Sequence, residues 1–276
     1  MFSYNIFTDL QEMWHYAFMR NAFLAGTIVA LVAGVVGYFV VLRRSSFAAH
    51  ALSHIGFAGA AGAVLVGLNP LAGLLAFTTG GGIAMAGLGR KAASRDVQIG
   101  TVLAFMLGLG VLFISMYKGY ATEAYSLLFG EILGISAGTV LTTFIMGVLI
   151  LLAVLALYRP LLFSSLDEDV AEAKGVPVQT LSTLFFVLVA VAISIAVQVV
   201  GVLLIFALLV TPAAIAERLS RRPAQALAIA TGISLLATWL GLFLAYYLPY
   251  PVSFFITAIT FLLYVGVRLG QRLQRV

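Results

Sequence analysis

Cysteine is missing from all 276 residues, which removes disulfides, thiolate metal ligands and thiol redox chemistry together. Charge is scarce too: Asp, Glu, Lys and Arg make up 9% of the chain, against about a quarter in an ordinary soluble protein. Histidine occurs only as His15, His50 and His54. No G-x-x-x-x-G-K-[ST] run is present, so the chain has no P-loop, and any ATP-driven step needs another subunit. Position 51, after the first histidine of the pair, is Ala51 and not the general-base Glu of an H-E-x-x-H metalloprotease. These absences argue against an enzyme.

What remains is apolar. Hydrophobic residues make up 63% of the chain, and mean hydropathy is +1.13. That composition describes an integral membrane protein with several helical spans and too little polar sequence for a separate soluble domain. The net charge of +5 does not point to nucleic acid, because the basic residues sit in short loops between apolar runs, where they report topology. The N-terminal twenty residues have no basic start and carry Asp9 and Glu12, unlike a signal peptide. Trp14, Tyr16 and Phe18 suit a segment lying at the membrane interface.

Apolar runs predict an all-α polytopic bundle of about nine transmembrane segments, or eight if one is re-entrant. The first five run over 22–42, 47–66, 71–88, 97–116 and 139–158. Residues 181–216 supply two short ones, with Gln198 and Gly201 as the turn and Thr211-Pro212 as a break. The last two run over 224–247 and 252–267. Residues 117–138 are less apolar, contain Glu123 and Glu131, and suit a short re-entrant or interfacial helix. With nine crossings, one side receives Arg43, Arg44, Arg90, Lys91, Arg95, Arg159, Lys174, Arg218, Arg221, Arg222, Arg268, Arg272 and Arg275. The other side receives only Arg20 and Lys118. The positive-inside rule then places the C-terminus in the cytoplasm and the N-terminus outside.

Three features carry candidate chemistry. His50 and His54 are four apart, so a helix points both imidazoles the same way. His54 falls about 15 Å past Arg44, near the middle of a hydrocarbon layer about 30 Å thick. Ionisable groups at that depth mark sites or pathways by default, and neutral imidazole is a good ligand for borderline transition metals. The alternative is two packed histidines bonded to Ser, Thr or backbone groups. The second feature is the acidic stretch Asp167-Glu168-Asp169-Val170-Ala171-Glu172-Ala173-Lys174-Gly175-Val176-Pro177. It suits one short helix ending at Gly175, either docking a soluble partner or simply solvated. The third is Glu131, read as a cation entry point or as an ordinary carboxylate at the water boundary.

Four stretches, VVLRRSSFAAHALSHIGFAGAAGA, AYSLLFGEILGIS, DEDVAEAKGVPV and VGVLLIFALLVTPAAIA, occur in the order in which they resemble the permease subunit of ATP-binding-cassette importers for zinc and manganese. The resemblance covers roughly residues 20–268. It implies a type II importer-like bundle and a single permease domain over 1–276, with 1–20 extracytoplasmic and 160–180 forming the cytoplasmic coupling loop. It implies a homodimer in a bacterial inner membrane, two cytoplasmic ATP-binding subunits, an extracytoplasmic metal-binding protein, and no tightly bound cofactor. Asp167, Glu168, Asp169, Ala171, Gly175 and Val176 then fall in the helix that docks on the ATPase. Many members of that family carry an acidic residue where this chain has His50. A His/His pair is softer than Asp/His and tilts the expected cargo toward zinc over manganese or iron. Permeases for metal chelates of the siderophore or cobalamin type remain an alternative, and a stand-alone channel or carrier a more distant one.

Overall fold

The computed structural model describes residues 6–88, 92–117, 130 and 132–273. Within them the chain is helical: α1 (Ile6–His15), α2 (Ala17–Leu42), α3 (Ser46–Leu65), α4 (Pro70–Gly87), α5 (Ala92–Met116), a 3-10 turn at Ile132–Gly134, α6 (Ala137–Leu166), α7 (Glu168–Ala173), α8 (Val178–Leu219), α9 (Pro223–Tyr247) and α10 (Val252–Leu273). Eight of these are long and apolar enough to cross a bilayer. Local chemistry sets several starts. The Asn69 carboxamide accepts the Leu71 N–H at 2.8 Å, with Pro70 in the first turn, and the Ser136 hydroxyl caps Thr139 N–H at 3.1 Å.

α8 is the centre of the bundle, packing on α2, α3, α4, α6, α9 and α10. Straight, its 42 residues would span about 63 Å, twice the hydrocarbon thickness. Gly201, at φ 80° and ψ 165°, breaks it into two arms, in a region of backbone space that is essentially glycine-only. Both arms run beside α2. The Arg43 guanidinium lies over the Phe185 ring at 5.0 Å, and Gly37 abuts the Leu209 carbonyl. Residues 185 and 209 would be about 36 Å apart on a straight helix, whereas 37 and 43 are about 9 Å apart on α2. The chain therefore doubles back at Gly201. Taking the arms separately turns eight helices into the nine segments expected.

Some boundaries differ from expectation. Pro212 does not break the second arm, which runs on to Leu219. Pro212 cannot donate to Leu208, and the released carbonyl receives the Ser234 hydroxyl from α9 at 3.4 Å. The segment expected to stop at Tyr158 continues through Pro160 to Leu166, because Leu161 is fully buried and holds the next turn against the core. Helices also begin earlier or end later than the apolar runs: α2 starts at Ala17, α5 at Ala92, and α10 ends at Leu273. Interfacial polar residues continue a helix at little cost. The expected helix within 117–138 falls largely outside the described residues, and only the turn Ile132–Gly134 is seen.

α5 and α6 leave Phe105, Val111 and Leu155 more than 60% exposed, a surface that suits lipid tails. Trp14, Tyr16 and Phe18 are also exposed, whereas Met13 and Met19 are buried. The stretch from the end of α1 into the start of α2 thus carries the amphipathic character read from its sequence.

Candidate functional site

α3 is rich in Gly, Ala and Ser, and this sets how closely its neighbours approach. Gly59 and Gly73 of α4 meet backbone to backbone: a Cβ on Gly59 would lie 2.6 Å from the Phe77 Cβ and closer still to the Gly73 carbonyl. Small residues let helices approach this closely where no hydrophobic drive between them exists. On the α5 side, Gly110 admits the Phe57 ring. α4 and α5 clamp two flanks of α3, and a third face meets α8.

His50 and His54 lie on that face. Ala49, Ala51, Leu52, Ser53 and Ile55 are buried, while the two histidines are half-buried. Their ring centroids are 4.7 Å apart, nearly perpendicular. His50 also packs edge-on against Phe206 of the second arm of α8, again at 4.7 Å. Both Nδ1 atoms are buried and lack a hydrogen-bond partner among the described residues. The nearby Ser53 hydroxyl bonds the His50 backbone carbonyl at 2.7 Å, not a ring. The packed alternative expects ring nitrogens bonded to Ser, Thr or backbone groups, and the two Nδ1 atoms have no such partner among the described residues. A buried unpaired polar atom is uncommon and calls for a ligand or a functional reason. No group of three or more His, Cys, Asp or Glu gathers among the described residues. One chain therefore offers two imidazoles, half of a tetrahedral set. Glu131 lies outside the described residues.

The acidic stretch folds as its sequence suggests. The Asp167 carboxylate caps the Val170 N–H at 3.0 Å. α7 runs for six residues, and Gly175 at φ +82° turns the chain out. Val176 N–H closes the turn on the Ala171 carbonyl at 3.0 Å. Ala171 is fully buried, while Glu168, Asp169, Val170 and Glu172 are exposed. α7 thus turns the buried Ala171 methyl toward the bundle and shows a mixed acidic and apolar face outward.

Reading the sequence missed two elements of this site. Phe206 was unremarkable within a long apolar run. Arg43 was counted as a topology marker, yet its side chain is only 5% exposed. It donates to the Ser164 hydroxyl at 3.1 Å and lies 3.9 Å from the Glu168 carboxylate. The adjacent Arg44 is exposed.

A hairpin-centred membrane bundle with a paired-imidazole face and a seated acidic helix has the architecture of an ABC importer permease. PsaBC from Streptococcus pneumoniae, solved in complex with Fab, contains a chain that superposes with a TM-score of 0.86 at 29% identity, covering 95% of each chain. The ABC 3 transport family model matches residues 15–270, and this chain belongs to that family. Among its relatives, the manganese import system permease protein ScaB of Streptococcus parasanguinis is 33% identical over 90% of this chain and 88% of its own length. The manganese transport system membrane protein MntC of Listeria innocua is 30% identical over 86% and 85%.

Proposed function

We propose that this chain is the membrane-spanning subunit of an ATP-driven importer of divalent transition-metal ions, working as a homodimer with His50 and His54 on its translocation pathway. The observation that carries this reading is the pair of half-buried imidazoles in contact on one side of α3, with both Nδ1 atoms buried and unpaired among the described residues. Two copies facing each other would bring four nitrogens to one ion. That set holds a first-row cation long enough to strip its water, and mobility between copies keeps the affinity low enough for release. The two-imidazole donor set favours zinc. Relatives named for manganese support manganese at least as well, so cargo choice falls partly to the delivering protein.

ATP is bound and hydrolysed by two partner subunits docked on Asp167, Glu168, Asp169, Ala171, Gly175 and Val176 in the cytoplasm. An extracytoplasmic binding protein loads the opposite face, where the chain's N-terminus lies, in a bacterial inner membrane. The basic residues gathered at one set of helix ends support this orientation. Growth of a metal-uptake-deficient strain under chelation tests the reading. The parent chain, with its partners, restores growth on added zinc or manganese. The His50→Ala/His54→Ala variant, present in the membrane at equal amount, does not, and equal rescue by both would reject the metal role.

A further inference from the structure

Arg43 is a buried cation at the end of a membrane helix, and a guanidinium there ordinarily snorkels to the headgroups. Arg44, one residue on, stays at the surface. Arg43 turns inward and meets three different elements. Its Nη1 donates to Ser164 in the last turn of α6. Its Nη2 faces Glu168 in the first turn of α7, and its Cζ stacks over Phe185 in the first arm of α8. A planar fork that hydrogen-bonds at its edge and stacks on its face fixes orientation in a way a lysine cannot.

Its backbone is equally constrained. Arg43 N–H closes α2 on the Phe39 carbonyl at 2.9 Å, and Ser45 N–H bonds Val40 at 2.9 Å. The Ser45 hydroxyl donates to the Arg43 carbonyl at 3.1 Å. Only residues 43–45 separate α2 from α3, so the turn has no slack. His50 follows seven residues later, four residues or about 6 Å along α3 from its start at Ser46.

We propose that Arg43 is the positioning residue through which displacement of α7 reaches the histidine-bearing helix, an inference that rests on the coupling reading above. When the ATPase moves α7, Glu168 and Ser164 carry the guanidinium with them. The tight turn then tilts α3, re-aiming His50 and His54 against Phe206.

The test uses the complete complex, with the ATP-binding subunit that co-purifies with the chain, in vesicles. Because the chain has no cysteine, Leu68→Cys, exposed and three residues past the far end of α3, gives the chain a single thiol for an environment-sensitive fluorophore, with any exposed cysteines of the ATP-binding subunit replaced. Arg43→Gln should keep ATP hydrolysis within about threefold of the parent, abolish the ATP-driven fluorophore change, and cut manganese or zinc uptake at least tenfold. Arg43→Lys, which keeps the charge near Glu168 without the fork, should fall between. Arg44→Gln should match the parent. An Arg43→Gln complex that keeps the fluorophore response overturns the inference, as does one that loses hydrolysis and thermal stability together. A parent complex whose fluorophore responds to ATP without metal uptake refutes the cargo reading but leaves Arg43's role standing. A parent with no response refutes the coupling reading and this inference with it.

Discussion

Adding one methyl group at the α3–α4 seam should loosen the site while leaving its ligands intact. A Cβ on Gly59 would sit 2.6 Å from the Phe77 Cβ and press on the Gly73 backbone, and ordinary van der Waals contact begins near 3.4 Å. The helices must part by at least 0.8 Å, the difference between those two distances. A gap of that size forfeits roughly a quarter to a half of each affected contact, and overpacking of this kind costs about 1–3 kcal/mol. Gly59→Ala should therefore lower the melting temperature in detergent by roughly 5 °C, using the scaling of about 2–4 °C per kcal/mol for chains of 150–250 residues. Gly80, on α4, has open space instead: a Cβ added there would meet nothing within 4 Å. Gly80→Ala should be neutral, or stabilising by up to about 1 kcal/mol through helix propensity. Melting followed by size-exclusion retention of a fluorescent fusion measures both. Equal melting temperatures for Gly59→Ala and Gly80→Ala would refute the claim that the small residues of α3 set how closely α4 approaches.

Gly201→Ala forces a methyl into backbone space that costs about 1–3 kcal/mol for other residues, and thermal melting should show the loss together with reduced uptake. Asp167→Ala removes the cap of α7, a change worth about 1 kcal/mol, and should weaken co-purification of the ATP-binding subunit severalfold without lowering the amount of chain in the membrane. Ala171→Glu places a carboxylate where α7 turns a fully buried methyl toward the bundle; pull-down should show that docking is lost. His50→Ala and His54→Ala should each reduce metal uptake at least tenfold while ATP hydrolysis by the complex persists.

Membrane burial made the fold legible because spans need about twenty apolar residues. The turn at Gly201 was readable for the same reason: residues 181–216 were too long for one crossing, and glycine marked the break. Boundaries were harder. An interfacial Arg159-Pro160 looks like a stop, yet the helix passes through it because Leu161 finds a buried slot. Pro212 looks like a kink, and only the structure reveals the Ser234 hydroxyl that takes its orphaned carbonyl. The histidine pair and α7 were visible in sequence because i, i+4 spacing and a capping Asp are local signals. Phe206 and the inward turn of Arg43 were not, because both depend on contacts between segments more than a hundred residues apart.

Radiotracer uptake by vesicles holding the complete complex tests the central claim most directly. With ATP inside and the metal-loaded binding protein outside, the parent should accumulate manganese or zinc. The His50→Ala/His54→Ala complex should hydrolyse ATP and accumulate less than a tenth as much. Accumulation by the double variant at the parent's rate would contradict a pathway that runs past these two imidazoles.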